Sequence, residues 1–195
     1  MPEAPTQPAE EVVDLKDPVL AAFLAWLIPG LGHLYQGRLA KAVLFFVCIM
    51  STFAYGVYLS SDREMGVGRA VYFSWRDNDL RLAYLCQVGV GLSALPAIVQ
   101  AHRMDNNKKV WWHGFMAPPL LTGLPNIDHR ENQNLDQPDL NILNRRLHRF
   151  FELGTVFTMI AGLLNILAIY DAFGGPVPIQ PKKDEKPAAD AKPTS

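Results

Sequence analysis

Two carboxylates, Glu152 and Asp171, stand near the ends of a stretch that is otherwise uncharged, Phe150 to Phe173 (FFELGTVFTMIAGLLNILAIYDAF). An ionisable group is costly to keep charged in so apolar a setting, and a carboxylate held there is a natural carrier of a proton or a cation. Glu152 follows His148 by four residues and Arg149 by three, the spacings at which helical neighbours pair, and Asp171 is expected to meet Arg76 or Arg81. Between the two acids, Thr155, Thr158 and Asn165 offer hydroxyl and amide groups. Such groups either line a solute path or bond across to a neighbouring helix, and helix contact is the commoner use.

The remaining reactive residue types make no constellation. His102, His113 and His129, with Asp105, Asp128 and Glu131, lack the helix-face spacing that would aim two ligands at one metal ion, and Asp128 to Glu131 (DHRE) reads as a solvated turn. Cys48 and Cys86 fall inside apolar runs as small fillers. No Ser/His/Asp arrangement, phosphate-cradling glycine loop or basic nucleic-acid patch stands out, so the chain is expected to be no enzyme, to carry no metal or cofactor and to bind no nucleic acid.

A denser motif is LIPGLGHLYQGR, Leu27 to Arg38. Pro29 interrupts a helix, Gly30 and Gly32 relax the backbone or allow close packing, and Gly37 permits a tight return. His33, Tyr35 and Arg38, with Lys41, place amphipathic or cationic groups at a membrane surface, where they can contact a lipid or a partner. The stretch is read first as the corner of a hairpin.

The elements that must position these residues are long and apolar. The chain has 195 residues and a net charge of −1, but its mean hydropathy of +0.05 conceals two apolar runs, Leu39 to Leu59 and Leu82 to Ala101, in which only Lys41 is charged. Each reaches roughly 30 Å as a helix, enough to cross a hydrocarbon core. Phe150 to Phe173 makes another span. Val19 to Tyr35 is either a kinked span or a re-entrant half-helix, and the kinked span is favoured here. The acidic residues ahead of it do not suit a cleaved signal peptide.

The expected fold class is therefore all-α: a polytopic helical membrane protein of about four transmembrane helices with an interfacial amphipathic helix. Its parts are a disordered tail (1–17), a transmembrane hairpin (18–59), a polar loop (60–81), a third span (82–101), a long loop (102–149), a fourth span (150–173) and a second disordered tail (174–195). In the long loop, Lys108 and Lys109 beside Trp111 and Trp112 form a surface anchor. Asp139 caps a helix whose Leu140, Leu143, Leu147 and Phe150 share a face, with Arg145, Arg146 and Arg149 elsewhere.

Helix packing is written in small residues. Gly89, Ser93, Ala97 and Ala101 recur every four positions with Pro96 as a kink, and Gly154, Thr158, Ala161, Asn165 and Ala168 make a second seam. Four spans put nine Lys/Arg on each side, and the bias of those nearest the membrane favours outside tails with a cytoplasmic long loop.

PGLGHLYQGR between two apolar helices resembles the bacterial two-transmembrane-helix domain family, the matching positions being Gly30, Gly32, His33, Tyr35, Gly37 and Arg38 within Asp17 to Leu59. The four-span arrangement resembles bacterial membrane proteins without a defined reaction. The resemblance implies a membrane address. The expectation is an integral inner-membrane (plasma-membrane) multi-pass protein whose partners are the lipid bilayer and either further copies of itself or another membrane protein, in an envelope-organising role. The alternative is a transporter of a small solute or ion through the polar residues of the fourth helix.

Overall fold

The computed structural model describes residues 16–76, 79–120 and 137–175. The tails expected to be disordered lie almost entirely outside these residues, as do His129 and the DHRE turn.

Two long helices form the frame. α3, Leu39–Leu59, and α7, Arg149–Gly174, run antiparallel, with Gly56 of α3 packed on the Gly154 carbonyl and Thr158 while Lys41 reaches Asp171 at the other end. Both are long and apolar enough to cross a membrane, and most of their surface is uncovered. Val43, Val47, Ile160 and Leu167 are among the exposed side chains, a surface that suits lipid and not water.

The segment before α3 folds back on itself. Asp17 caps α1, Pro18–Leu27, by accepting from the amides of Val19 and Leu20 at 2.9 and 3.3 Å. The helix stops at Leu27 because Pro29 has no N–H and Gly30 turns the chain at φ 84°. α2, Leu31–Tyr35, then folds back along α1, with Gly32 against the Ala21 carbonyl and the Ala25 side chain. Lys16 and Tyr35, at the two mouths of the hairpin, meet through a 2.9 Å bond from Nζ to the Tyr35 carbonyl. The kinked span is thus corrected to a re-entrant helix pair: a proline followed by a left-handed glycine reverses the chain where a proline alone would bend it.

The expected third span is broken as well. α4, Ala83–Gln87, continues as the 3₁₀ turn Val88–Ser93, and α5, Pro96–Asp105, leaves at 116° to it. Gly91, at φ 71° and ψ −128°, is the break. The Tyr84 hydroxyl donates to the Ala94 carbonyl at 2.8 Å, holding the returning chain beside its own start. Against the four spans expected, two helices are long and apolar enough to cross a membrane, or three if the bent pair is counted as one.

The ends of this frame differ. The hairpin end gathers Lys16, Tyr35, Lys41 and Asp171. The loop end carries residues 60–82 and the segments on either side of the undescribed stretch 121–136, with a two-residue antiparallel ribbon pairing Trp75–Arg76 and Asp79–Leu80. α6, Leu140–Leu147, is capped as expected by Asp139, which accepts from the Asn141 amide at 2.7 Å. Its apolar face is used inside the protein, however: Leu143 and Leu147 pack with Ala70, Tyr72 and Phe151. The interfacial helix is corrected accordingly, because the loop it would have left bare supplies the apolar partner. Trp111 and Trp112 remain exposed, the former beneath the Arg103 guanidinium at 4.1 Å.

Candidate functional site: a polar seam and an ionic latch

α7 carries a line of polar groups along its buried face, and each meets a different element. Nearest the loop end, Arg81 donates from Nη2 to the Thr155 hydroxyl at 2.8 Å and the Ala70 carbonyl at 3.2 Å. Its guanidinium lies 4.6 Å from the Tyr72 ring and 5.3 Å from that of Phe151, a cation held by π faces. Burial pushes the Tyr72 phenol up to about 12, against the pull of Arg81.

One turn deeper, Gln87 is fully buried and donates through Nε2 to the Thr158 hydroxyl at 2.8 Å and the Ala70 carbonyl at 3.1 Å. At mid-helix the Asn165 amide donates to two carbonyls, Gly89 at 2.8 Å and Ala25 at 3.1 Å. This single side chain joins the tips of the two broken hairpins, which arrive from opposite ends of the frame. Asn165 Oδ1 and Gln87 Oε1 are buried without a hydrogen-bond partner.

At the hairpin end Asp171 closes the line. Its Oδ2 lies 2.9 Å from His33 Nε2, 3.0 Å from Arg38 Nη2 and 3.1 Å from Lys41 Nζ. Gln36 adds a bond from Nε2 to the Ala172 carbonyl. His33 is buried, its ring 4.8 Å from that of Phe45, and its Nδ1 has no partner. One carboxylate that answers two full cations and an imidazole is a latch between the re-entrant hairpin and the last helix.

The residues singled out from sequence are therefore brought together differently than expected. His33, Arg38 and Asp171 share one cluster; Asp171 does not meet Arg81, because the last helix ends beside the hairpin. Glu152 stands at the other end of α7 and is exposed. His148, at φ 46°, breaks the chain between α6 and α7, which separates it from Glu152; the expected pairing of Glu152 with Arg149 is not formed among the described residues either. Pro29, Gly30 and Gly32 build the hairpin tip and its contacts. Tyr35 lies under Lys16 Nζ, 5.1 Å from its ring centroid, and Gly37 turns at φ 80° with open space around it.

Both seams are contacts. Gly89 packs on the backbone of Gly162, Ser93 donates to the Met50 sulfur at 3.7 Å, Ala97 is buried, and Gly154 meets the Gly56 carbonyl and Ser60. Gln87 escaped the sequence reading; an amide within an apolar run was its only signal. Arg69 also escaped it: buried, it donates to the carbonyls of Met65 and Ala117 and, at 2.9 Å, to Gln137 Oε1. Among the described residues, no group of three or more His, Cys, Asp or Glu side chains is placed to hold a metal ion.

Residues 20–185 match the model of a family of unknown function, DUF6677, and the chain belongs to that family. No curated protein and no solved structure matches it. The match extends over the hairpin, the loops and both long helices.

Proposed function

We propose that this member of the family is an integral multi-pass protein of a bacterial inner membrane that acts by binding other membrane components, in an organising and not a catalytic role. The observation carrying this reading is how the polar seam is used: Thr155, Thr158, Asn165 and Asp171 each tie α7 to a different segment. That leaves the long apolar outer faces of α3 and α7 for lipid and partner helices.

The re-entrant hairpins also repartition charge. Residues 60–82 and 102–149, both attached to the loop end, hold eleven of the eighteen Lys/Arg, whereas Lys16, Arg38 and Lys41 are the cations next to the hairpin end. The loop end accordingly faces the cytoplasm, with the hairpin end outside.

Photo-crosslinking from Val43, Val47, Ile160 and Leu167 in intact membranes tests the binding role. A discrete adduct with a second copy or with one membrane protein supports it; lipid adducts alone at all four positions refute it. Transport of a small solute is the second reading, favoured by the orphaned oxygens of Asn165 and Gln87. Flux into proteoliposomes that is lost in Asn165→Leu would move the assignment there.

A further inference from the structure

At the loop end a cleft of about 470 Å³ opens between the last turn of α3 and the first turn of α7. Tyr58, Leu59, Val67 and Phe150 give it an apolar wall, and Asp62 and Arg63 are its charged residues. Tyr58 is the penultimate residue of one long helix and Phe150 the second of the other. The cleft therefore sits where hydrocarbon gives way to headgroups.

Its two charges are unequally satisfied. Asp62 accepts from the amides of Glu64 and Met65 at 2.8 and 3.1 Å and has Arg146 Nε at 3.8 Å. Those amide bonds hold its carboxyl below the usual range. Arg63 is exposed and has no hydrogen bond or ion pair among the described residues. By contrast, Arg38 and Lys41 at the opposite end both answer to Asp171.

We propose that this cleft binds an anionic phospholipid, its phosphate on Arg63 and its glycerol and upper acyl carbons against Tyr58, Val67 and Phe150. An anion with an apolar tail fits an uncompensated guanidinium beside an apolar wall. A zwitterionic lipid gains less, because Oδ1 of Asp62, the carboxylate its ammonium would seek, is taken by two amides and Oδ2 faces Arg146. The cytoplasmic leaflet, which the loop end faces in the orientation above, supplies anionic headgroups. This inference rests on the membrane reading; insertion and orientation are measured separately by cysteine labelling, so its failure leaves that reading intact.

The test uses the full chain in nanodiscs of mixed phosphatidylglycerol and phosphatidylcholine, with retained lipid counted by native mass spectrometry after extraction into mild detergent. Wild type retains phosphatidylglycerol above its share of the bilayer. Arg63→Ala lowers that enrichment about fivefold, the worth of one cation near an anionic surface, while Arg63→Lys keeps most of it. Size-exclusion profiles matching wild type certify the variants as folded, and Arg145→Ala, an exposed cation outside the cleft, leaves enrichment unchanged. Three results overturn the proposal: wild-type enrichment in Arg63→Ala, an equal loss in Arg145→Ala, which marks diffuse surface charge, or displacement by millimolar glycerol 3-phosphate, which marks a site for soluble phosphate.

Discussion

His33 and Asp171, 138 positions apart, meet through a 2.9 Å contact between Nε2 and Oδ2 that Arg38 and Lys41 reinforce. Asp171→Asn strips the carboxylate from two cations. The side chain is 36% exposed, so solvent screening holds the expected cost to about 1–2 kcal/mol, below that of a fully buried pair. Thermal unfolding in detergent measures it. Arg38→Gln should cost less in the Asp171→Asn background than in wild type, and strict additivity of the two would show that the latch does not exist.

Close backbone approach makes a second prediction. A methyl at Gly162 would overlap the Cys86 carbonyl, whereas at Gly174 it would meet open space. Gly162→Ala is expected to destabilise by about 1–3 kcal/mol and Gly174→Ala to stay within about 0.5 kcal/mol of wild type. The hairpin corner divides likewise: Gly30→Ala meets both a left-handed φ and the Ala42 backbone, Gly37→Ala only a left-handed φ. Folded yield should fall further for Gly30→Ala.

The path of the chain is open to labelling. With Cys48 and Cys86 replaced, single cysteines at Lys16 and Ala40 should react from one side of the membrane and those at Arg63 and Asn106 from the other. Four full spans would instead group Ala40 with Asn106 and separate Lys16 from Ala40.

Much of this was legible in advance, and what was not has one cause. Hydropathy located Leu39–Leu59 to the residue, and Asp139 announced α6. Hydropathy is a sum along the chain, though, and carries no sign for direction: a run that enters and returns scores as a run that crosses. Gly30 and Gly91 hold the missing information, because a positive φ reverses the path, and glycine permits that conformation without demanding it. The misplaced partner of Asp171 follows from those reversals, and that of Glu152 from a further positive φ at His148. The sequence places Asp171 beside Arg76 or Arg81 because an extra crossing exchanges the ends of the last helix.

Tyr72 supplies the pH dependence. Its folded-state pKa, raised to about 12 by burial, exceeds that of an unfolded tyrosine, about 10. The stability linked to this group is therefore fully present below about pH 10 and is lost as pH rises through the folded value. Difference absorbance titration of wild type against Tyr72→Phe should show one phenol ionising near pH 12; one that ionises near 10 would mean that the site is open to water.

The latch and the Asn165 bridge also impose an order in time. The re-entrant pair α1–α2 is made first, but the groups that hold it, Asn165 and Asp171, lie about 140 residues later. At 5–20 residues per second of synthesis, the hairpin waits roughly 7–30 s for its partners. Through that interval the Ala25 carbonyl has no amide donor from Asn165, and Arg38 and Lys41 have no Asp171. A nascent chain halted before α7 thus carries an unfinished hairpin, and the last helix made is the one that commits the first to its place.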